Sequence, residues 1–244
     1  MNGSRGKTVT RTASALITLT LVVGFIAGCV GLVVTGELGA GLEPVYLPAL
    51  TIAAKVAEYL ALTLAFGYVF TLTLLQPGAG RTRGDTSPAL TPEQRRQSSR
   101  AFIYTVVFVM LLGVSTYSAY ANATGSLDPA NFGYFLSRTE LGTISLCAGS
   151  FAIASAVIGA FTRRLLGAGW QGALLTLTVV ALGFLGHAGS SLDHANAVNA
   201  MIVHLLGLVT WLGPLVVMVL EWSRSTAAHA ATIVRRYSPW ALFA

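Results

Sequence analysis

Three of the four histidines in this 244-residue chain fall in one stretch, GHAGSSLDHANAVNAMIVHLLGLVTWLG, from Gly186 to Gly213. Neutral imidazole is the commonest metal ligand among side chains. His187 and His204 stand in apolar runs, where an unpaired ionisable group is costly and marks a functional-site candidate. Met201 precedes His204 by three residues, so a helix would carry thioether and imidazole on roughly one face. Such a pair is soft enough to suit copper. His194 reads first as a solvated loop residue and second as a further ligand. Beside it, Asp193 would draw cations to the mouth of a site. Gly207 leaves room next to His204, and Trp211 continues the stripe, where it is expected to pack inside a bundle as part of the site's wall. Pro214 frees the carbonyl of Thr210 and can kink the helix there. An intramembrane histidine also serves well as a hydrogen-bond partner for a neighbouring helix. Spacing alone leaves the metal and the structural readings both open.

A second polar pair is Lys55 and Glu58, three residues apart and therefore on one helix face. It reads first as an internal salt bridge, or as a lysine snorkelling outward. The functional alternative is a polar lining for an ion path, with Glu58 as hard ligand or proton acceptor. Tyr59 is expected to pack beside the pair.

These residues need membrane elements to hold them. Hydrophobic residues make up 54% of the chain, above the usual apolar share of soluble domains. Six apolar stretches reach the length of about 20 residues that a helix needs to cross a bilayer core: Ala13–Val34, Leu47–Leu75, Ala101–Ala121, Glu140–Thr162, Gln171–Ser190 and Ala197–Leu220. The fold expected is an all-α polytopic helix bundle, a single transmembrane domain over 1–244. Tyr237–Ala244 opens a seventh apolar segment, as expected of a piece of a longer protein. On this topology Ser190–Asn196 is a short loop joining two antiparallel neighbours. His187, about one turn below the end of the fifth span, and His204, about 10 Å down the sixth, could then converge at one mouth of the bundle.

The net charge of +6 raises the question of nucleic acid, and the arrangement answers it. Thirteen of the fifteen basic residues lie in alternate segments: Arg5, Lys7 and Arg11; Arg81, Arg83, Arg95, Arg96 and Arg100; Arg163 and Arg164; Arg224, Arg235 and Arg236. This is the positive-inside pattern, and it puts the N-terminus in the cytoplasm. The acids Glu37, Glu43, Asp128 and Asp193 then fall outside. Basic residues split among short loops without interleaved aromatics make a poor nucleic-acid surface.

Residues 76–100 are rich in Pro, Gly, Thr, Ser and charge and read as a flexible cytoplasmic linker. A short helix is expected to open at Thr91-Pro92-Glu93. The aromatics of Asn131-Phe132-Gly133-Tyr134-Phe135 suit the membrane–water interface. Cys29 and Cys147 form no CxxC pair and are expected as buried free thiols. Ile26-Ala27-Gly28-Cys29 resembles a lipoprotein cleavage box, but Val30–Val34 stays apolar, and an ordinary first span is expected. There is no GxxxxGK[ST] and no HExxH, so no nucleotide-driven or zinc-protease chemistry is read here. Gly189-Ser190-Ser191 near His204 imitates a membrane serine protease only weakly. The chain is expected not to be an enzyme.

Gly186-His187-Ala188, a short loop, then His204 followed by Trp211-Leu212-Gly213, resembles the copper resistance D family of membrane proteins. Thr139-Glu140-Leu141-Gly142 is similar to that family's T-x-x-G segment, and Arg236-Tyr237-Ser238 to its R-F-S entry to the next helix. The resemblance runs from about Lys55 to the C-terminus. It implies copper handling at the bacterial cytoplasmic membrane, by import or by supply to an oxidase. It also implies that His187 and His204 correspond to the family's histidines; His194 and Met201 match no motif of it. In many actinobacterial proteins this domain precedes a cytochrome c oxidase assembly domain of the CtaG type, and the abrupt end at Ala244 fits such a fusion. Leu141 and Thr143 depart from the aromatic and Arg that the family often carries there. Only four methionines, and no Met-rich loop, argue against high-capacity copper capture.

The partners expected are membrane lipid, a copper ion or periplasmic copper donor, and oxidase assembly components. Two alternatives belong to other classes. His187 and His204 could be axial ligands of a haem in an electron-transfer bundle. Or the chain is an assembly subunit whose histidines only bond between helices.

Overall fold

The computed structural model describes residues 46–76, 88–185, 194–222 and 226–243, with backbone alone at 46–51, 194, 195, 227 and 243. Seven α-helices follow in order: α1 (Tyr46–Phe70), running into a π turn (Thr71–Leu75); α2 (Pro92–Thr124); α3 (Phe132–Arg138), after a 3-10 turn (Pro129–Asn131); α4 (Glu140–Phe161); α5 (Leu165–Leu182); α6 (His194–Glu221); and α7 (Ala227–Phe243). The described residues form no strand beyond an isolated bridge between Ala89 and Arg164. In a bilayer only helices and closed barrels satisfy every backbone group, so this is the architecture the composition demands. Among the described residues, five stretches are long and apolar enough to cross a membrane: Ile52–Leu75, Pro92–Thr124, Glu140–Phe161, Leu165–Leu182 and Asn196–Glu221. The chain is a multi-pass membrane protein. The expected first span, Ala13–Val34, lies outside the described residues.

Helix α1 is the centre of the bundle. It packs on α2, α5 and α6, while α2 also meets α4, and α4 meets α5. The core along it includes Leu62, Phe108, Leu175, Leu182 and Val217, all nearly or fully buried. Lipid tails are as apolar as leucine, so association here depends on close packing. Helices α1 and α6 come backbone to backbone at two glycines. A Cβ on Gly213 would lie 2.7 Å from the carbonyl oxygen of Thr63 and 3.0 Å from Cα of Gly67. Of the five spans α1 is the most enclosed and α6 the least.

The linker expectation is corrected over 92–100, while its residues 77–87 lie outside the described residues. Residues 92–100 are not a flexible segment but the opening turns of α2, one continuous helix of 33 residues. Thr91 and Gln94 form a reciprocal capping box, the Thr91 hydroxyl accepting from Gln94 N at 3.2 Å and Gln94 Oε1 from Thr91 N at 3.0 Å. Pro92 at the first helical position needs no hydrogen-bond acceptor. Just ahead, Leu90 N donates to Arg163 O at 2.9 Å and Leu165 N to Pro88 O at 3.0 Å, tying this segment to the α4–α5 connection. The fifth span is also shifted. Its helix starts at Leu165 and ends at Leu182, where Gly183 N, Phe184 N and Leu185 N bond three residues back, to Val180 O, Ala181 O and Leu182 O; residues 186–190 of the expected span lie outside the described residues. Cys147 is exposed on α4, not buried; Cys29 lies outside the described residues.

At one end of the bundle, α3 covers the α2–α4 turn. Phe132 and Phe135 pack edge-on against Tyr120, and Phe132 against Tyr117. Tyr134 stays exposed, as an interfacial aromatic does.

Candidate functional site

The histidine region has only one wall on view. His187 and Asp193 lie outside the described residues. His194 is the first residue of α6, and its side chain also lies outside them. His204 is exposed on α6 and, with Asn199, Gly207 and Trp211, lines an open cavity that Ala241 of α7 closes on one side. Met201, exposed as well, does not line that cavity. The helix therefore presents His204 and Trp211 together and leaves Met201 to the side. Among the described residues no three His, Cys, Asp or Glu side chains come together as a metal-holding group. Nothing among them favours the haem alternative.

The expectation for Trp211 is corrected in one respect. It lines the same open cavity as His204, but it is 46% exposed instead of packed inside the bundle. The reason is helical phase. Val198, Leu205, Val209, Gly213 and Val217 form the buried edge of α6, with Gly213 pressed on α1. Trp211 stands two residues from Gly213 and is turned away from α1. Its carbonyl oxygen accepts a hydrogen bond from the Tyr237 hydroxyl of α7 at 2.6 Å. Pro214 is accommodated within α6, which continues to Glu221.

The end of α5 meets α6 at Ile202, on a different face of the helix from His204, and no α5 residue lines the cavity. A Cβ on Gly183 would lie 3.1 Å from Cα of Ile202, two residues before the histidine. Eight residues, 186–193, separate that described end from His194.

The Lys55–Glu58 expectation has definite geometry. Lys55 Nζ lies 3.1 and 3.0 Å from the two Glu58 oxygens. Glu58 is fully buried, and Lys55 is partly open, so the lysine stem reaches outward while its head stays paired. From α2, Ser115 Oγ donates to Glu58 Oε2 at 2.6 Å. Ser115 carries no sequence signal, since a lone serine in an apolar span is common and unspecific. The cluster is a satisfied carboxylate that ties α1 to α2, as its first reading expects. Tyr59 packs at the edge of the same core.

A second buried ion pair was not legible in the sequence. Arg100 of α2 pairs with Glu221 at the end of α6. The Tyr68 hydroxyl donates to the same Glu221 oxygen at 3.1 Å. The Arg100 guanidinium lies 5.7 Å from the centre of the Tyr68 ring, within cation–π range. Arg100 counts with the positive loop charges in the sequence pattern. In the structure it joins α1, α2 and α6 at the end of the bundle where the basic segments collect.

A family model described as copper resistance protein D-like, N-terminal domain, matches residues 44–196, more than half of the chain. The matched stretch contains Lys55, Glu58, Ser115, His187, Asp193 and His194. It stops before Met201, His204 and the Trp211-Leu212-Gly213 segment. No curated protein and no solved structure matches the chain.

Proposed function

The chain belongs to the copper resistance protein D-like family, and from that premise we propose that it handles copper at a bacterial cytoplasmic membrane. In this reading copper is cargo, imported or delivered toward cytochrome c oxidase assembly. The N-terminus is cytoplasmic, and His187 and His204 form the outward-facing site. His194 and Met201 are supplementary ligands, the first at the head of α6 and the second beside the cavity. Asp193 draws the cation, and Trp211 walls the site. Lys55 and Glu58 serve the bundle as structure.

One observation carries the proposal: His204 opens onto a cavity on α6, in a chain whose copper resistance protein D-like match runs through His187 and His194. A chain leaving Gly183 can span at most about 3.5 Å per residue. The reading requires the connection after α5 to bring His187 round to the face of α6 that carries His204. An imidazole pair is a fitting capture site for copper, and a short outer connection keeps it open to a donor. The reading requires no nucleotide, in keeping with the motifs the sequence lacks.

The test is metal analysis of the purified full chain after copper loading, wild type against His187→Ala/His204→Ala. Loss of bound copper in the double variant, with unfolding unchanged, is the expected result. Full copper retention in a folded double variant would refute the site.

A further inference from the structure

Helix α1 is enclosed on most sides and bare on one. Among its described side chains only Ile52, Ala53, Val56 and Leu60 are exposed. Ile52, Val56 and Leu60 are 65%, 56% and 55% open, and they follow at intervals of four, which puts them in one row on the helix. Intervals of three and four carry that row on to Thr63 and Gly67. These are the two residues against which Gly213 of α6 is pressed. One face of α1 is thus covered by α6 in the half that ends at Phe70 and bare in the half that begins at Tyr46.

The phase of α6 explains the gap. Ile202 stands eleven residues before Gly213, about three turns, so it lies on the same side of α6. There it meets Gly183 of α5 instead of α1. Val203, the next residue, is 69% exposed. Beyond the Gly67–Gly213 crossing, α6 leans on α5 and leaves the row on α1 uncovered. The other sides of α1 are taken. Glu58 accepts from Ser115 of α2, and a Cβ on Gly172 of α5 would lie 3.1 Å from the Val69 side chain.

The chain carries its own occupant for this face. The expected span Ala13–Val34 precedes α1; it lies outside the described residues and outside the family match, which begins at residue 44. Residues 35–45 alone connect it to Tyr46. Consecutive elements are usually neighbours in space, and a flexible coil of eleven residues has an end-to-end distance of about 18 Å. A helix tied that closely to α1 has one side of α1 left to lie on. Its sequence suits that side. Gly24, Gly28 and Gly31 fall at intervals of four and three, on one helix face. Gly28 and Gly24 stand six and ten residues from Val34, and Ile52 and Val56 stand six and ten from Tyr46. In an antiparallel pair the small residues come level with the bare branched ones. Small residues let helix backbones approach closely, and close packing is what drives association in lipid.

We propose that residues 13–34 form a helix that docks antiparallel on the row of Ile52, Val56 and Leu60, with its glycine face receiving Ile52 and Val56. The row is then a protein contact and not a lipid-facing surface, and α1 is enclosed along its whole length. The docking rests on packing and is independent of copper.

The experiment joins the two elements by a disulfide in the full chain, in membranes without added copper. Ala27 flanks the glycine face seven residues from Val34, and Ala53 flanks the row seven residues from Tyr46. Ala27→Cys is combined in turn with Ile52→Cys, Ala53→Cys and Val56→Cys, with Cys29 and Cys147 replaced by serine. The control keeps Cys147, exposed on α4 seven residues from Glu140, as the partner of Ala27→Cys. Iodine closes a disulfide where Cα atoms come within about 7 Å, and a maleimide mass tag added after denaturation counts the thiols that remain. Most molecules with Ile52→Cys or Ala53→Cys should run as monomers that take up no tag, and few with Cys147 should. Adding Gly24→Leu/Gly28→Leu, which overfills the groove, should lower the bridged share about tenfold. No bridge from any of the three row positions, in protein that elutes as a single folded species, overturns the proposal and returns the row to lipid. Bridging to Cys147 at equal yield overturns it, as does bridging that the two leucines leave unchanged. A disulfide-linked dimer in place of the bridged monomer identifies a second copy of the chain as the occupant and overturns it too.

Discussion

Replacing Gly213 by alanine tests the contact that sets α6 on α1. The new Cβ would lie 2.7 Å from the Thr63 carbonyl oxygen and 3.0 Å from Gly67 Cα, whereas ordinary contact begins near 3.4 Å. The neighbours are helix backbone on both sides, so no side chain can swing away. The helices must part by about 0.7 Å to restore a normal van der Waals separation. Overpacking of this kind costs about 1–3 kcal/mol, and an all-backbone contact belongs at the upper end. The natural comparison is Gly113→Ala in α2, where a Cβ meets nothing within 4 Å. There the better helix propensity of alanine leaves stability equal or raises it by up to about 1 kcal/mol. Reversible unfolding in mixed micelles, followed by far-UV circular dichroism, measures both. Gly213→Ala should unfold at clearly lower denaturant and Gly113→Ala should not. Equal midpoints for the two variants would show that the α1–α6 seam is not held as described.

Two further predictions concern the buried charges. Ser115→Ala removes the 2.6 Å hydrogen bond to Glu58 and should cost about 1–2 kcal/mol, since bonds to ionised groups exceed neutral ones; a change under about 0.3 kcal/mol in the same unfolding assay would contradict the geometry. Arg100→Gln and Glu221→Gln should be strongly non-additive in a double-mutant cycle. A coupling of about 1–2 kcal/mol is expected, discounted from the buried-pair range because Arg100 is partly exposed; additivity would show that the pair is not made.

The architecture was readable because the membrane imposes one rule on every span. Apolar runs of sufficient length must be helices, and their ends must find caps or water. Thr91-Pro92 predicted a helix start, and the capping box with Gln94 bears it out. Loop composition hid the rest of that helix. Gln94, Gln97, Ser98 and Arg100 look like linker residues, yet three of them are buried and the fourth is paired. The Thr139-Glu140-Leu141-Gly142 motif now has a physical cause. Thr139 caps α4 by accepting from Gly142 N at 3.0 Å, and a Cβ on Gly142 would sit 2.5 Å from Leu136 Cα. The pairing of Glu58 with Lys55 was legible because both lie on one helix. Ser115 and the Arg100–Glu221 pair were not, because they join residues 57 and 121 positions apart. Periodicity within a span says nothing about which span lies opposite. The exposure of Trp211 was missed for the same reason, since the phase of α6 is set by where α1 touches it.

That phase bears on whether copper crosses the bundle. His204 lies nine residues before Gly213, about 13 Å along α6, and the Gly67–Gly213 contact stands between it and the Tyr68–Arg100–Glu221 cluster. Metal–donor bonds of about 2 Å on either side of an ion need a passage of roughly 4 Å between donor atoms. Backbone meets backbone at the seam, so an ion has no route between α1 and α6 in this conformation. Within the copper reading this favours delivery on the face where copper is captured over passage along that seam. The expected outcome follows in vesicles of defined orientation, with the capture face outward. A membrane-impermeant chelator added outside should strip the copper bound by the protein within minutes, and little should reach the lumen. Lumenal copper that accumulates with wild type, and fails to accumulate with His204→Ala, would overturn this and require α6 to part from α1 during transport.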